Sequence, residues 1–269
     1  MDLSIAKYKP LNTNLLQNIL GESIFKGGLV YREHLDSTNK YAKELCEKGA
    51  PEGTIVVAEY QSAGKGRMRR KWLAKPRANL LFSVVLRPKD TVEALFLLNC
   101  AGSVAVVKGL EQECKLEAAI KWPNDIYVGG RKLGGLLGEF SIRSGMLDYV
   151  VIGIGLNVNW APEQIGPGSE RATSVWAETG KRICRTRLLG NILIHVQDCY
   201  HMLGSGNKDT LLQIYKHYSI ILGRKVKIVD QDEIIHAKAI DIMQDGTLMV
   251  ASDDGVCKYL KWGDVSLRL

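Results

Sequence analysis

The chain has no Cys-x-x-Cys pair and no Cys/His cluster at zinc spacing, which excludes a structural zinc site of the usual kind. No uninterrupted apolar run reaches the ~18 residues of a membrane helix. Met1 is not followed by a signal peptide, so a cytoplasmic protein without membrane contact is expected. The phosphate-loop pattern G-x-x-x-x-G-K-[ST] is absent, as is a G-x-G-x-x-G fingerprint opening a helix. No Ser/His/Asp or Cys/His arrangement for a covalent nucleophile is recognisable, and repeats and low-complexity segments are missing too.

What is present suits a folded enzyme-sized chain. At 269 residues it has room for one large domain, or a medium one and a small one. Apolar residues make up 46% and charged residues 24%, so a sizeable core is available and disorder is not indicated. Cys46, Cys100, Cys114, Cys184, Cys199 and Cys257 are six cysteines without a pairing pattern. Several lie in apolar surroundings, as Cys100 does in LFLLNCAGSVAVV, and read as reduced core thiols.

The formal net charge of +7 is less informative than its distribution. Lys65, Arg67, Arg69, Arg70, Lys71, Lys75 and Arg77 crowd one stretch that holds no acidic residue. Such a stretch is an anion site, a nucleic-acid patch or a solvated loop.

Periodicity and turn residues predict the elements. LLQNIL reads as a short helix, punctuated by Gly27-Gly28. Strands are expected at LVYREHL, TIVVAEY and NLLFSVVLRP, and a capped helix at STNKYAKELCEKG. A helix follows over about 91–113, then AIKW, a turn at Pro123-Asn124-Asp125, IYV, a turn at Gly129-Gly130, and RKLGGLLGEFSIR. A hairpin at Ser144-Gly145 leads into YVVIGIGLNVNW, and one or two helices cover about 186–222. After Gly223 come short β-rich runs separated by Asp245-Gly246 and Asp254-Gly255, as in a small SH3-like barrel. Consecutive hairpins with helices grouped between them predict an α+β fold with a mixed sheet, not a doubly wound one. The expected division is an N-terminal extension (1–28), a catalytic domain (29–221) and an SH3-like domain (222–269).

Four segments carry chemistry. QSAGKGRMRRKW combines small residues, whose backbone N–H groups can approach an anion, with forked arginine donors. In KWPNDIYVGGRKLGGLLGE, Lys132 lies just past a diglycine turn, where its ammonium can reach over a ligand lying on bare glycine backbone. VIGIGLNVNW is a buried strand interrupted at Gly153 and Gly155, which suits close approach of a flat ligand or of another element. Ser37, Thr38 and Asn39 begin a helix, where they cap it or bind a polar head group.

Taken in order, DSTN, AEYQSAGKGRMRRKW, ANLLFSVVLRP, KWPNDIYVGGRKLGGLLGE, VVIGIGLNVN and the terminal GDVSLR resemble the biotin–protein ligases over about 29–269. The resemblance implies an enzyme that activates biotin with ATP to biotinyl-5′-AMP and passes biotin to a lysine. The acceptor would be the biotin carboxyl carrier domain of a carboxylase. Polar groups around Ser37, Thr38, Asn39 and Gln61 would hold the ureido ring. The fused rings and valeryl chain would lie along Gly135 and the Gly153/Gly155 strand. Gly64, Lys65, Gly66 and Arg67 would close over the carboxylate and α-phosphate, with Lys132 at the same place. Arg67, Arg70, Trp72, Asn124, Lys132 and Asn157 would hold the nucleotide. Arg67 and Lys132 would be catalytic, by charge alone. Mg²⁺ would arrive with ATP and need no dedicated protein ligand set.

Two positions depart from the family's frequent GRGRxGR loop: Lys65 replaces an arginine, and Arg69 stands where glycine is common. Some relatives carry an N-terminal winged helix-turn-helix, which needs roughly 60 residues. The resemblance is therefore to the short form, with no DNA contact expected and a homodimer possible. The rival readings are a lipoate or octanoyl ligase, whose RRxSGGG-type loop is replaced here by QSAGKGR, and a non-catalytic biotin or nucleic-acid binder of the same fold.

Overall fold

The computed structural model describes residues 8–90, 92–160, 172–230, 233–252, 254–261 and 266–268. Seven strands form the large sheet: β1 (Leu29–Leu35), β2 (Ile55–Gln61), β3 (Asn79–Leu86), β4 (Ala119–Lys121), β5 (Asp125–Val128), β6 (Arg131–Arg143) and β7 (Met146–Asn157). Their order is β1-β2-β3-β7-β6-β5-β4, with β1 and β2 parallel and every other neighbouring pair antiparallel. This is the expected mixed sheet of an α+β fold.

Helices are α1 (Thr13–Leu20), α2 (Thr38–Glu47), α3 (Leu95–Cys114), α4 (Val175–Thr179), α5 (Arg185–Gly204) and α6 (Lys208–His217). One face of the sheet packs on α3 and α5, the other on α2. Helix α3 is apolar almost all round, because it is covered on nearly all sides. Its Gly109 admits α5 so closely that an added β-carbon would stand 2.5 Å from Ile192 Cγ1. The stretch Val92–Cys114 is long and apolar enough by composition to cross a membrane, although polar residues interrupt its apolar run. Since 78% of its most apolar window is buried within the fold, it is a core helix.

Helix α1 ends at Gly21, with φ of 48°, rather than at Gly27-Gly28. Its Leu16 and Leu20 sit in the same core as α5. Leu11 N nearby donates to Glu59 Oε1 at 2.6 Å. Glu59 and Arg185 form a buried pair, Oε2 to Nη1 2.8 Å, with the side chains 1% and 4% exposed. Arg185 Nη1 points its hydrogen at Asn79 O, 2.7 Å away, so the carboxylate contact is ionic rather than an aligned hydrogen bond.

Alternation along the strands sorts the side chains. Leu80, Phe82, Val84 and Leu86 of β3 join the α3/α5 core, whereas Val85 and Ser83 face α2. The register sets Ser83 opposite Gly153, and Gly153 opposite Leu137. One row nearer the chain's loops, Leu81, Gly155, Gly135 and Asp125 lie side by side, and beyond them Asn79 faces Asn157. The α2 face thus has two bare glycine positions in the middle of β7, flanked by polar residues.

The last strands are β8 (Lys225–Asp230), β9 (Glu233–Ile242), β10 (Leu248–Ala251), β11 (Cys257–Leu260) and β12 (Ser266–Arg268). They make a small antiparallel sheet in the order β11-β10-β9-β8-β12, the SH3-like domain expected. Trp122 Nε1 donates to Gly246 O at 3.0 Å, and Lys216 pairs with Asp241 at 2.6 Å, so the small sheet is joined to the large unit.

Candidate active site

Where α2 meets the sheet, four polar side chains join in a chain. Gln61 Oε1 accepts from Thr38 N at 2.7 Å and from Thr38 Oγ1 at 3.0 Å. Ser83 Oγ lies 2.8 Å from Thr38 Oγ1 and 2.6 Å from Asn39 Oδ1. Asn39 Nδ2 donates to Leu137 O at 3.1 Å and to Glu139 Oε2 at 2.9 Å. Lys43 pairs with the other Glu139 oxygen. Ser37 stands outside this chain, and its Oγ caps α2 by accepting from Lys40 N.

The two glycines of β7 are occupied from above. A β-carbon at Gly153 would stand 2.0 Å from Asn39 Oδ1, and one at Gly155 would stand 2.7 Å from Trp72 Cε2. Both positions require glycine because a side chain of the protein rests on the strand. The Trp72 ring faces Lys132, whose Nζ is 5.9 Å from the ring centroid. Lys132 Nζ donates to Asp125 Oδ1 at 2.6 Å, with the two side chains 35% and 29% exposed. A β-carbon on Gly135 would meet this pair, 3.0 Å from Asp125 Oδ1 and 3.5 Å from Lys132 Nζ.

The basic loop doubles back on itself. Lys65 bridges Lys71, Gly66 N donates to Arg70 O at 2.7 Å, and Trp72 N donates to Gly64 O at 2.9 Å. A 3-10 turn over Arg67–Arg69 contains Met68 at φ 53°, and Met68 is exposed. Arg67 Nη1 reaches down to Asn124 Oδ1 at 3.2 Å, while Lys65 and Arg70 are exposed. The side chain of Arg69, one of the two departures, lies outside the described residues. Asn124 in turn donates to Leu136 O, and Leu136 N donates to Asn124 O at 2.9 Å.

Among the described residues, two buried polar atoms at this site lack a hydrogen-bond partner: Trp72 Nε1 and Asn157 Oδ1. Asn157 Nδ2 is engaged by Thr173 O at 3.0 Å. An orphaned donor and an orphaned acceptor are costly unless a ligand pairs them.

The structure therefore brings Thr38, Asn39 and Gln61 together at one end, with Trp72 over Gly155, and Lys132 beside both Trp72 and Gly135, next to them. Arg67 and Asn124 form a contact beside this group. Asn157 stands at the far end of β7. Three members of this arrangement were not singled out from the sequence: Ser83, Glu139 and the Asp125 carboxylate as partner of Lys132.

Comparison with known proteins decides the family. Residues 31–157 match the model of the biotin/lipoate A/B protein ligase family, and 221–268 match the biotin protein ligase C-terminal domain. The bifunctional ligase/repressor BirA of Bacillus subtilis is 32% identical over 231 residues, covering 86% of this chain and 71% of that protein. The biotin–[acetyl-CoA-carboxylase] ligase of Mycobacterium tuberculosis is 32% identical over 213 residues, 76% of this chain and 77% of that one. The chain belongs to the biotin protein ligase family. The biotin protein ligase of Aquifex aeolicus, solved with biotin and ATP, superposes with a TM-score of 0.77 at 30% identity, over 90% of this chain and 99% of that one. Both matched segments of this ligase hold its described strands: β2 to β7 fall in the first, β8 to β12 in the second.

Proposed function

We propose that this biotin protein ligase seats the ureido ring of biotin against Thr38 and Gln61, with the rest of the molecule passing beside Trp72, which itself covers Gly155, toward Gly135 and Lys132. The enzyme activates biotin with ATP to biotinyl-5′-AMP, releasing pyrophosphate, and transfers biotin to a lysine of a carrier protein with loss of AMP.

A count of protons carries the reading. Three oxygen–oxygen contacts link Gln61, Thr38, Ser83 and Asn39, yet Thr38 and Ser83 supply only two hydroxyl hydrogens between them. The cluster is one proton short and suits a ligand that donates N–H. Gln61 meanwhile turns its oxygen to Thr38 N, which leaves its Nε2 to donate to a carbonyl. A cyclic urea supplies one acceptor between two donors and matches both needs. The dithiolane of lipoate has no such groups and would leave the polar atoms unpaired.

At the other end the chemistry is electrostatic. A carboxylate must approach an α-phosphate, and the two repel. Arg67 and Lys132 lower that repulsion and stabilise the charge spread over the phosphoryl oxygens. Trp72 and Asn157 each hold an unmatched polar atom for the nucleotide half. Lys65, Gly66 and Arg70 lie on the loop that would close over the reacting groups and shield the anhydride from water. A magnesium ion bound with ATP would neutralise phosphate charge.

The carrier is proposed to be the biotin carboxyl carrier domain of a carboxylase. A homodimer is supported by β6, which beyond Gly135 has β7 on one side only and exposes Phe140 and Ile142 at 46% and 50%. The basic loop is assigned to the nucleotide and not to DNA, because Arg67 turns inward to Asn124. Six free cysteines fit a reducing, cytoplasmic setting.

The test is pyrophosphate release with ATP, magnesium and either biotin or lipoate, without acceptor. About one equivalent with biotin and none with lipoate is expected, since the adenylate stays bound. Release with lipoate, or with neither acid, would reject the pocket assignment.

A further inference from the structure

Asn39 has no donor left for a substrate. Both Nδ2 hydrogens are used, on Leu137 O and on Glu139 Oε2, and Asn39 is only 5% exposed. Its oxygen faces Ser83 Oγ. The amide therefore acts indirectly, by fixing which way the Ser83 hydroxyl points. Donating to Asn39, the fully buried Ser83 can offer Thr38 only a lone pair.

An amide turned over by half a rotation has the same shape and the opposite polarity. In Asn39 that turn would set the NH₂ group against Ser83 Oγ, so that Ser83 no longer had to donate there and its hydrogen could turn to Thr38 Oγ1, with the Thr38 hydrogen going to Gln61 Oε1. The three contacts would then hold three hydrogens, and the cluster would no longer want an N–H from a ligand. Two groups oppose the turn, the Leu137 carbonyl and the Glu139 carboxylate, and only the second is charged. Glu139 is itself held by Lys43, four residues after Asn39 on the same face of α2, so one helix face grips one carboxylate twice.

We propose that Glu139 is a positioning residue for substrate recognition. It holds the Asn39 amide in one polarity, and through Ser83 and Thr38 sets the pocket's preference for a ring that donates N–H. This rests on the placement of the ureido ring proposed above, and the experiment separates the two.

With a biotin carrier domain added as acceptor to sustain turnover, the KM for biotin, the KM for ATP and the kcat of pyrophosphate release are measured for the full chain and for Glu139→Leu, Glu139→Gln and Gln61→Ala. Glu139→Leu is expected to raise the KM for biotin about tenfold, with kcat and the KM for ATP within about twofold, as for loss of one charged hydrogen bond. Glu139→Gln keeps an acceptor oxygen and is expected to recover most of the effect. An unchanged KM for biotin in Glu139→Leu, or a fall in kcat alone, would overturn the role of Glu139, while a raised KM in Gln61→Ala would leave the ring placement standing. No change in either Glu139→Leu or Gln61→Ala would overturn both. Should Glu139→Leu fail to fold, Asn39→Asp sets two carboxylates together, and adding Glu139→Gln restores a donor between them. The double variant is expected to bind biotin more tightly than Asn39→Asp alone, and no recovery overturns the proposal.

Discussion

Lys132 Nζ donates to Asp125 Oδ1 across the paired strands β5 and β6, at 2.6 Å. The ammonium proposed to meet the reacting phosphate is held by a carboxylate before any substrate is present. Lys132 must exchange one anion for another, so its charge acts mainly once charge develops on the phosphoryl group.

Lys132→Ala is accordingly expected to slow adenylate formation by about 10²- to 10³-fold, while the Kd for biotin changes far less. Single-turnover pyrophosphate release and titration calorimetry with biotin give the two quantities. Equal losses in both would make Lys132 a binding residue only.

Gly153→Ala inserts a carbon into the space of Asn39 Oδ1. Asn39 must move, breaking the contacts to Ser83, Leu137 and Glu139 together. A loss of about 1–3 kcal/mol in stability is expected, as for overpacking of a filled site. Biotin affinity should fall more steeply than ATP affinity. Denaturant titration and calorimetry check both, and equal loss for the two ligands would contradict the local account.

Trp122 Nε1 donates to Gly246 O in the turn between β9 and β10, while Pro123 O accepts from Asn99 Nδ2 and Tyr215 OH, each at 2.9 Å. The turn bearing Asn124 and Asp125 is thus held by α3, α6 and the small sheet. Trp122→Phe keeps the ring and removes one bond, so stability should drop by about 0.5–1.5 kcal/mol. The adenylation rate should drop with it, read by pyrophosphate release. A stability loss with full activity would mean that the small sheet does not influence that turn.

Stability should also fall in mild acid. Burial pushes His195 below its ordinary value of about 6.5, with Lys108 acting in the same direction and Asp198 and Glu111 against it. In the unfolded chain the imidazole takes up its proton first, so stability present above pH about 6.5 is lost as pH falls through the folded-state pKa. His195→Gln should flatten that step in urea titrations at pH 7.5 and 5.5. An unchanged step would assign it to other groups.

The order of strands and helices was largely legible, because alternation and turn residues carry it: β1, β2, β3 and α2 lie within a residue or two of the stretches read from the sequence. Gly129 and Gly130 both take positive φ, as a diglycine turn demands. Ser83 was hidden for a definite reason. Within NLLFSVVL it reads as one more buried strand residue, and only the pairing with Gly153 places it beneath Asn39. Glu139 is likewise visible only once α2 is docked. Asp125 looked like an ordinary turn residue, and its carboxylate gains meaning through the register that brings Lys132 alongside. The N-terminal segment had no role from sequence, and the anchoring of Leu11 to Glu59 depends on a residue 48 positions away.

Trp72 resting on Gly155 has a practical side. Of the two bare positions on β7, the one under Asn39 is filled by a residue tied to three others, whereas the one under Trp72 is filled by an indole whose nitrogen has no partner. An engineer wishing to admit a bulkier acid should shrink residue 72, since the floor cannot be lowered past backbone and the Asn39 side is locked.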